Sequence, residues 1–480
     1  MKYSIVKFNN IKNIFRLDAE YFHPIALKYE SLISRHHGKT FRDIKCKVVS
    51  GPFGSSLRSE AYISSGVPFL RISDLNDFFI FKDNIVYISE KDNNKLSSSQ
   101  LKVGDLVLSK VGNTIGIVSK ITADIGNCNI SENNLGIRLP KNISDSFRDY
   151  ILSYLNSKIG QIQILRLISG NAQPKLNVYD IENLCFPIFS NNFYNQISNL
   201  VEESFKQIQI SKILYKQAKQ LLLSELGLLN WKLKQEFAFV KKFSDTQQAE
   251  RMDSEYFQPK YEEIVEAIKR YKGGFDELEN LIEIKKSIEP GSEAYQENGI
   301  PFVRVSNLSK FELSNNNQQF ISKKLYDELK KYQPQKGEIL LSKDATPGIA
   351  YYLNEVPKQM IVSGGILRLK IESHQILPEY LTLVLNSVVV QKQIERDVGG
   401  SIINHWKPDQ IKTTIIPILD NAKQKEIKKL IEKSFFNKEQ SKLLLEIAKR
   451  GVEIAIEKNE EEAEKWIYYE LDKIGGICNA

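Results

Sequence analysis

The chain repeats itself in order, so its fold must accept the same segment twice. Arg16-Leu-Asp-Ala-Glu-Tyr-Phe-His-Pro24 returns as Arg251-Met-Asp-Ser-Glu-Tyr-Phe-Gln-Pro259, 235 residues later. Ser59-Glu-Ala-Tyr62 returns as Ser292-Glu-Ala-Tyr295. Gly66-Val-Pro-Phe-Leu-Arg-Ile-Ser-Asp-Leu75 returns as Gly299-Ile-Pro-Phe-Val-Arg-Val-Ser-Asn-Leu308. Gly104-Asp-Leu-Val-Leu-Ser-Lys110 matches Gly337-Glu-Ile-Leu-Leu-Ser-Lys343, and Tyr150 through Pro187 matches Tyr380 through Pro417 at an offset of 230. Order and spacing kept over most of each half indicate a tandem duplication of a unit of roughly 230 residues. With 480 residues the chain is too long for one ordinary core, and two domains are the natural division.

Each unit divides again. Val67-Pro-Phe-Leu-Arg-Ile, Leu106-Val-Leu-Ser and Ile115-Gly-Ile-Val are short aliphatic runs bounded by Gly, Asn and Asp, and they predict strands. Phe147 to Leu167 carries apolar residues at helical spacing. The span from about Asn195 to Leu226 holds no Gly or Pro and predicts one long helix that Gly227 stops. Its copy starts near Asp420-Asn421 and runs past Lys449.

The two long helices share a seven-residue seam. Ile197, Ser204, Ser211 and Ala218 form one row, and Ile427, Ser434, Ser441 and Ala448 its copy. Val201, Ile208, Tyr215 and Leu222 run beside the first; Ile431, Lys438, Leu445 and Val452 run beside the second. Such a seam predicts helix pairing, with small residues allowing close approach. A pseudo-two-fold between the repeats makes the pair antiparallel. About 32 residues span roughly 48 Å, on the order of 14 base pairs.

The expected architecture is therefore α+β: a mixed α/β domain over 1–190, a long helix over 191–235, a second such domain over 236–419, and a second long helix with a tail over 420–480.

Several chemistries find no support. His36-His37-Gly38-Lys39-Thr40 ends like a phosphate loop, but the position needing its first glycine is Ile33. The five histidines show no ligand spacing common to both repeats: His23 becomes Gln258, and His405 aligns with Lys175. Cys46, Cys128, Cys185 and Cys478 lack paired spacing and suit buried thiols. Neither a methyltransferase Asn-Pro-Pro-Tyr signature nor a clear nuclease cluster occurs, so no catalytic residue, metal or cofactor is expected. No apolar run reaches membrane-spanning length and no signal-peptide core follows Met1, which points to a cytoplasmic protein.

Loops near the strands carry polar and basic residues instead. In the first unit these are Ser55, Ser56 and Arg58; Arg71; Lys110, Asn113 and Thr114; and Asn171, Gln173 and Lys175. In the second they are Arg304, Lys343, Thr346, Asn404, His405 and Lys407. Arg and Lys suit phosphates and guanine edges, while Asn and Gln suit adenine edges. Net charge is +7, a mild excess that permits binding nucleic acid through local patches. Arg71/Arg304 and Lys110/Lys343 occupy matched positions, as shared phosphate contacts or internal ion pairs would. Gln173-Pro174-Lys175-Leu176 against Ile403-Asn404-His405-Trp406 differ, as would suit reading different bases. Gly51-Pro52-Phe53-Gly54 fits a β-turn that presents Ser55, Ser56 and Arg58 in the first unit only, because the second has Ile288-Glu-Pro-Gly291 there.

Taken together, Gly51-Pro-Phe-Gly-Ser-Ser-Leu57 followed by Gly66-Val-Pro-Phe-Leu-Arg-Ile72, Gly104-Asp-Leu-Val-Leu-Ser-Lys110, Ser169-Gly-Asn-Ala-Gln-Pro-Lys-Leu-Asn177 and the long helix closing each repeat resemble the specificity subunits of type I restriction–modification systems. The resemblance implies a non-catalytic DNA-binding subunit. Each recognition domain would read half of a bipartite double-stranded target. The helices, with Val201, Ser204, Ile208, Ser211 and Ala218 facing Ile431, Ser434, Ser441, Leu445 and Ala448, would space the halves and dock two methyltransferase subunits. Motor–nuclease subunits would join through those. S-adenosylmethionine, Mg²⁺ and ATP would belong to the partners. A coiled-coil scaffold, or a restriction or modification enzyme with its own active site, is the alternative.

Overall fold

A computed structural model describes the chain except residues 1–3, 7–10, 12–15, 53, 171–172, 399–404 and 476–480. It forms two compact units. The first comprises Met1–Gln209 with Lys438–Ala480, and the second Ile210–Asn437. Both division points fall inside the long helices Asn191–Glu225 and Asn421–Glu457.

The first unit is built on a five-stranded sheet in the order Lys47–Ser50, Asn134–Arg138, Leu106–Ser109, Val118–Lys120, Phe78–Phe79. All neighbours are antiparallel except the last pair. A second sheet orders Val86–Ile88, Val67–Leu70, Cys128–Ile130 and Gln100–Leu101. The second unit repeats this plan. Ile282–Lys285, Ile366–Ile371, Ile339–Ser342 and Ala350–Tyr352 form its main sheet, and Gln319–Ile321, Ile300–Val303 and Ile361–Val362 its smaller one. Register is kept as well: Leu108 faces Leu135, and its repeat mate Leu341 faces Leu367.

Side-chain bonds repeat with the strands. Tyr150 donates its hydroxyl to Pro187 O at 2.7 Å, and Tyr380 to Pro417 O at 2.8 Å. Asn156 Nδ2 donates to Val118 O, and Asn386 Nδ2 to Ala350 O. These residues lie in each unit's main buried cluster or beside it, where an unpaired polar group would cost about 1–3 kcal/mol.

The predicted run Phe147 to Leu167 is two helices, Asp145–Asn156 and Lys158–Leu165. Ser157 divides them. Its backbone is extended and its hydroxyl accepts from Gly160 N at 3.1 Å, an N-cap inside an otherwise periodic segment. The predicted strand at Ile115-Gly-Ile-Val begins only at Val118, because Gly116 sits at φ +96° in the preceding loop.

The long helices pair antiparallel within each unit. In the first, Ser204 Oγ donates to Ser441 O at 2.9 Å and lies 2.8 Å from Ser441 Oγ, and Gly451 passes close to Ile197. In the second, Ser434 Oγ donates to Ser211 O at 2.8 Å, and Lys423 pairs with Glu225 at 3.2 Å. Val201, Ser204 and Ala448 in the first unit are buried, as are Ser211, Ala218 and Ile431 in the second. Leu445 is half-buried, and its neighbour Leu444 is the fully buried residue of that turn. Gly227, at φ +69°, ends the first helix, with Leu228 N bonded to Leu223 O. The segment after Glu457 forms a further helix, Glu460–Lys473.

Cys46 and Cys128 are buried and Cys185 is half-buried. Burial pushes the Cys46 thiol up to about 12. Cys478 lies outside the described residues. Among the described residues, no helix is long and apolar enough to cross a membrane.

Candidate nucleic-acid interface

In the first unit four loops converge beyond the strand ends. Lys110 follows strand Leu106–Ser109, and its N–H bonds Asn133 O in the loop before strand Asn134–Arg138. Its Nζ donates to Ser50 Oγ at 2.8 Å, reaching the base of the Gly51 loop. Its carbonyl accepts from Leu176 N, and Val111 bridges Lys175. Lys175 closes a hairpin with Ser169, each N–H bonding the other's carbonyl at 3.0 Å. Lys110, Lys175, Asn113, Thr114 and Gln173 thus share one edge. Burial lowers the Lys110 pKa, Glu132 opposes this, and Lys175 adds to the lowering.

The Gly51 loop packs on that edge. Gly51 N bonds Asn134 O at 3.2 Å, and Gly54 N donates to Glu132 Oε2 at 2.5 Å. Gly54–Ser56 is one turn of 3₁₀ helix, and Ser56 and Arg58 are exposed. The side chain of Ser55 lies outside the description. So do Phe53, which the predicted turn includes, and Asn171.

The second unit assembles equivalent segments with different side chains. Lys343 N bonds Gly365 O, Trp406 N bonds Lys343 O, and Asp344 bridges His405 where Val111 bridges Lys175. Asp344 accepts from Lys343 Nζ at 2.5 Å and lies 2.8 Å from His405 Nδ1. Burial favours the neutral acid, but these two contacts outweigh it and hold the Asp344 carboxyl below its ordinary range. Lys407 is exposed and precedes helix Pro408–Lys412; Thr346 is exposed in the loop after Lys343. Asn404 lies outside the described residues.

Arg71 and Arg304 bond within their own turns. Arg71 holds Asp74 through Nε at 3.1 Å and Nη2 at 3.0 Å, and that bond raises the guanidinium pKa. Arg304 has Asn307 in place of the acid and donates to Asn317 O at 2.7 Å. Of the two roles that their matched positions suggest, the internal ion pair is the one seen at Arg71.

Three kinds of residue in these loops escaped the sequence. Glu132 and Asp344 place carboxylates among the lysines. Glu289 sits beside Gly364, the repeat mate of Glu132, where an added Cβ would lie 3.6 Å from its own Cβ. The acid has thus moved from one loop to the facing one. Gln161 and Gln391, at matched positions, hold the loops after Lys110 and Lys343 by donating to Gly116 O and Gly348 O, both at 2.9 Å.

Residues 274–446 match the family model described as "Type I restriction modification DNA specificity domain". The chain carries a type I specificity domain. The match covers most of the second unit, and the internal repeat extends the same sheet register and Tyr–Pro bond to the first. No curated protein matches the chain. Among solved structures, it is similar to a type I restriction–modification system S subunit from M. genitalium, at 13% identity over 91% of this chain and 95% of that one, with a TM-score of 0.37. It is also similar to the HsdS subunit from Thermoanaerobacter tengcongensis, at 14% identity over 91% and 95%, TM-score 0.27. The type IIG restriction endonuclease BpuSI is similar over 40% of this chain and 30% of that one, at 12% identity and a TM-score of 0.28.

Proposed function

We propose that the chain is a non-catalytic specificity subunit, each unit of which reads one half of a bipartite double-stranded DNA target through its converged loops. The paired long helices dock two methyltransferase subunits, and motor–nuclease subunits join through them in the cytoplasm. One observation supports this most: the bridge Val111–Lys175 recurs as Asp344–His405, with the backbone kept and the side chains changed. A common frame with different polar tips is what two half-sites of different sequence require. Lys110, Lys175 and Arg58 supply phosphate and base contacts in the first unit, and Lys343, His405 and Lys407 in the second.

Competition binding of the chain with its methyltransferase partner tests the assignment. Binding to a target duplex should fall steeply with salt, with a log–log slope of about −0.9 per phosphate neutralised. Lys175→Ala should weaken discrimination in one half-site by about tenfold, the scale of one base contact of roughly 1–3 kcal/mol. His405→Ala should do so in the other. Equal affinity for all duplexes would favour a protein-binding scaffold instead. Methyl transfer or cleavage by the chain alone would favour an enzyme.

A further inference from the structure

The repeated segment Arg16–Phe22 and Arg251–Phe257 carries none of the loop residues named above, yet it makes like contacts in both units. Arg16 grips Asp18 with Nε at 2.8 Å and Nη2 at 2.9 Å. Its Nη1 donates to Leu167 O at 3.1 Å and its Nη2 to Ile168 O at 2.8 Å. Asp18 Oδ1 also accepts from Tyr21 N at 3.1 Å. The guanidiniums of Arg16 and Arg166 stack on the Tyr21 ring, 4.7 Å and 4.2 Å from its centre.

In the second unit Arg251 grips Asp253 at 2.7 and 3.0 Å and donates to Asp397 O at 3.1 Å. Asp397 is the repeat mate of Leu167. Tyr256 N donates to Asp253 at 3.0 Å, and the guanidiniums of Arg251 and Arg396 lie 4.6 Å and 5.4 Å from the centre of the Tyr256 ring. Arg396 is the repeat mate of Arg166.

The Asp397 carbonyl lies in the last turn of helix Val388–Val398, and those of Leu167 and Ile168 lie in the turn just after helix Lys158–Leu165 and its C-cap Arg166. Carbonyls at a helix C-terminus lack intrahelical partners, and a cation there also suits the helix dipole. The aspartate fixes the guanidinium plane, so its remaining N–H groups point at the helix exit. The next residues are Ser169, which pairs with Lys175, and in the second unit the segment that leads to His405.

We propose that Arg16 and Arg251 are positioning residues for DNA recognition. Each fixes the exit of a helix and thereby the aim of the loop residues that follow it, Gln173 and Lys175 in the first unit and His405 in the second. The aspartate and the stacked tyrosine hold the arginine in place. This inference rests on those loops meeting DNA.

The test uses the full chain with its methyltransferase partner. Arg16→Ala should speed amide hydrogen exchange in the peptide covering 169–176 at least tenfold, leaving 343–350 unchanged. It should relax discrimination about tenfold in the half-site read by the first unit only. Arg251→Ala should relax only the other half. Arg16→Lys, which keeps charge but not the fork, should behave as Arg16→Ala, and the milder Asp18→Asn should show a smaller shift in the same direction. Unchanged exchange over 169–176, full rescue by Arg16→Lys, or equal loss in both halves would overturn the positioning role. Lys175→Ala run alongside separates the two ideas. A defective Lys175→Ala with a normal Arg16→Ala overturns the positioning role alone. A Lys175→Ala chain that discriminates normally overturns the assignment of the loop to DNA, and this inference with it.

Discussion

Lys120→Met should destabilise the first unit by about 3–5 kcal/mol at neutral pH, the cost of leaving a buried charge unpaired. Asp149 is fully buried on helix Asp145–Asn156. Its carboxylate accepts from Lys120 Nζ at 2.6 Å and from Ser198 Oγ at 2.8 Å, joining sheet, helix and long helix. Burial raises the Asp149 pKa, and Lys120 and Ser198 only partly oppose this. The folded state therefore holds a proton on Asp149 more tightly than the unfolded state does. The stability this confers is full below the unfolded value of about 3.9 and is lost as pH rises through the folded pKa. Without Lys120 the folded pKa rises further, so the variant's deficit should be large at pH 7 and shrink towards pH 4. Urea unfolding at both pH values measures it, and Lys120→Met with Asp149→Asn should recover most of the loss. A single variant within about 1 kcal/mol of the parent at pH 7 would show that the pair is not what holds this joint. The second unit solves the problem differently. Glu379, the repeat mate of Asp149, pairs at 2.9 Å with Lys428, which stands where the first unit has Ser198. The cation has moved from the strand to the long helix.

Gly51→Ala should have the second large effect, on recognition. A Cβ there would lie 1.9 Å from Ser131 O and 2.8 Å from Glu132 N. Both are backbone atoms, so the loop itself must move. The bond from Gly54 N to Glu132 depends on that approach. Displacing the loop should cost the first half-site at least one base contact, about 1–3 kcal/mol or on the order of tenfold in discrimination. The second half-site should be untouched, since Ile288-Glu-Pro-Gly291 replaces the loop there. Competition with duplexes mutated in one half at a time measures this. Equal weakening for both halves would mean that the loop is not a private feature of the first unit.

Much of this architecture is legible in the sequence because repetition and period are local or self-referring signals. The offsets near 230 reveal the duplication, though not that Lys438–Ala480 joins the first unit, and the Ser204/Ser441 and Ser211/Ser434 rows locate the helix pairing. The break at Ser157 is hidden because the apolar spacing runs straight through it. The roles of Glu132 and Gln161 are hidden for another reason. Each acts on a backbone group far away in sequence, Gly54 or Gly116, and no spacing rule connects them. Charge counting names the lysines of the loop edge but not the carboxylates set among them.

Mapping of N6-methyladenine in cells that express this chain with the proposed methyltransferase partner tests the central claim most directly. Expression of the pair should produce methylation at a split motif with a fixed gap. Omitting this chain should abolish it, and Lys175→Ala should alter only one half of the motif. Methylation that persists at the same motif without this chain, or a motif with no fixed gap between halves, would contradict the account.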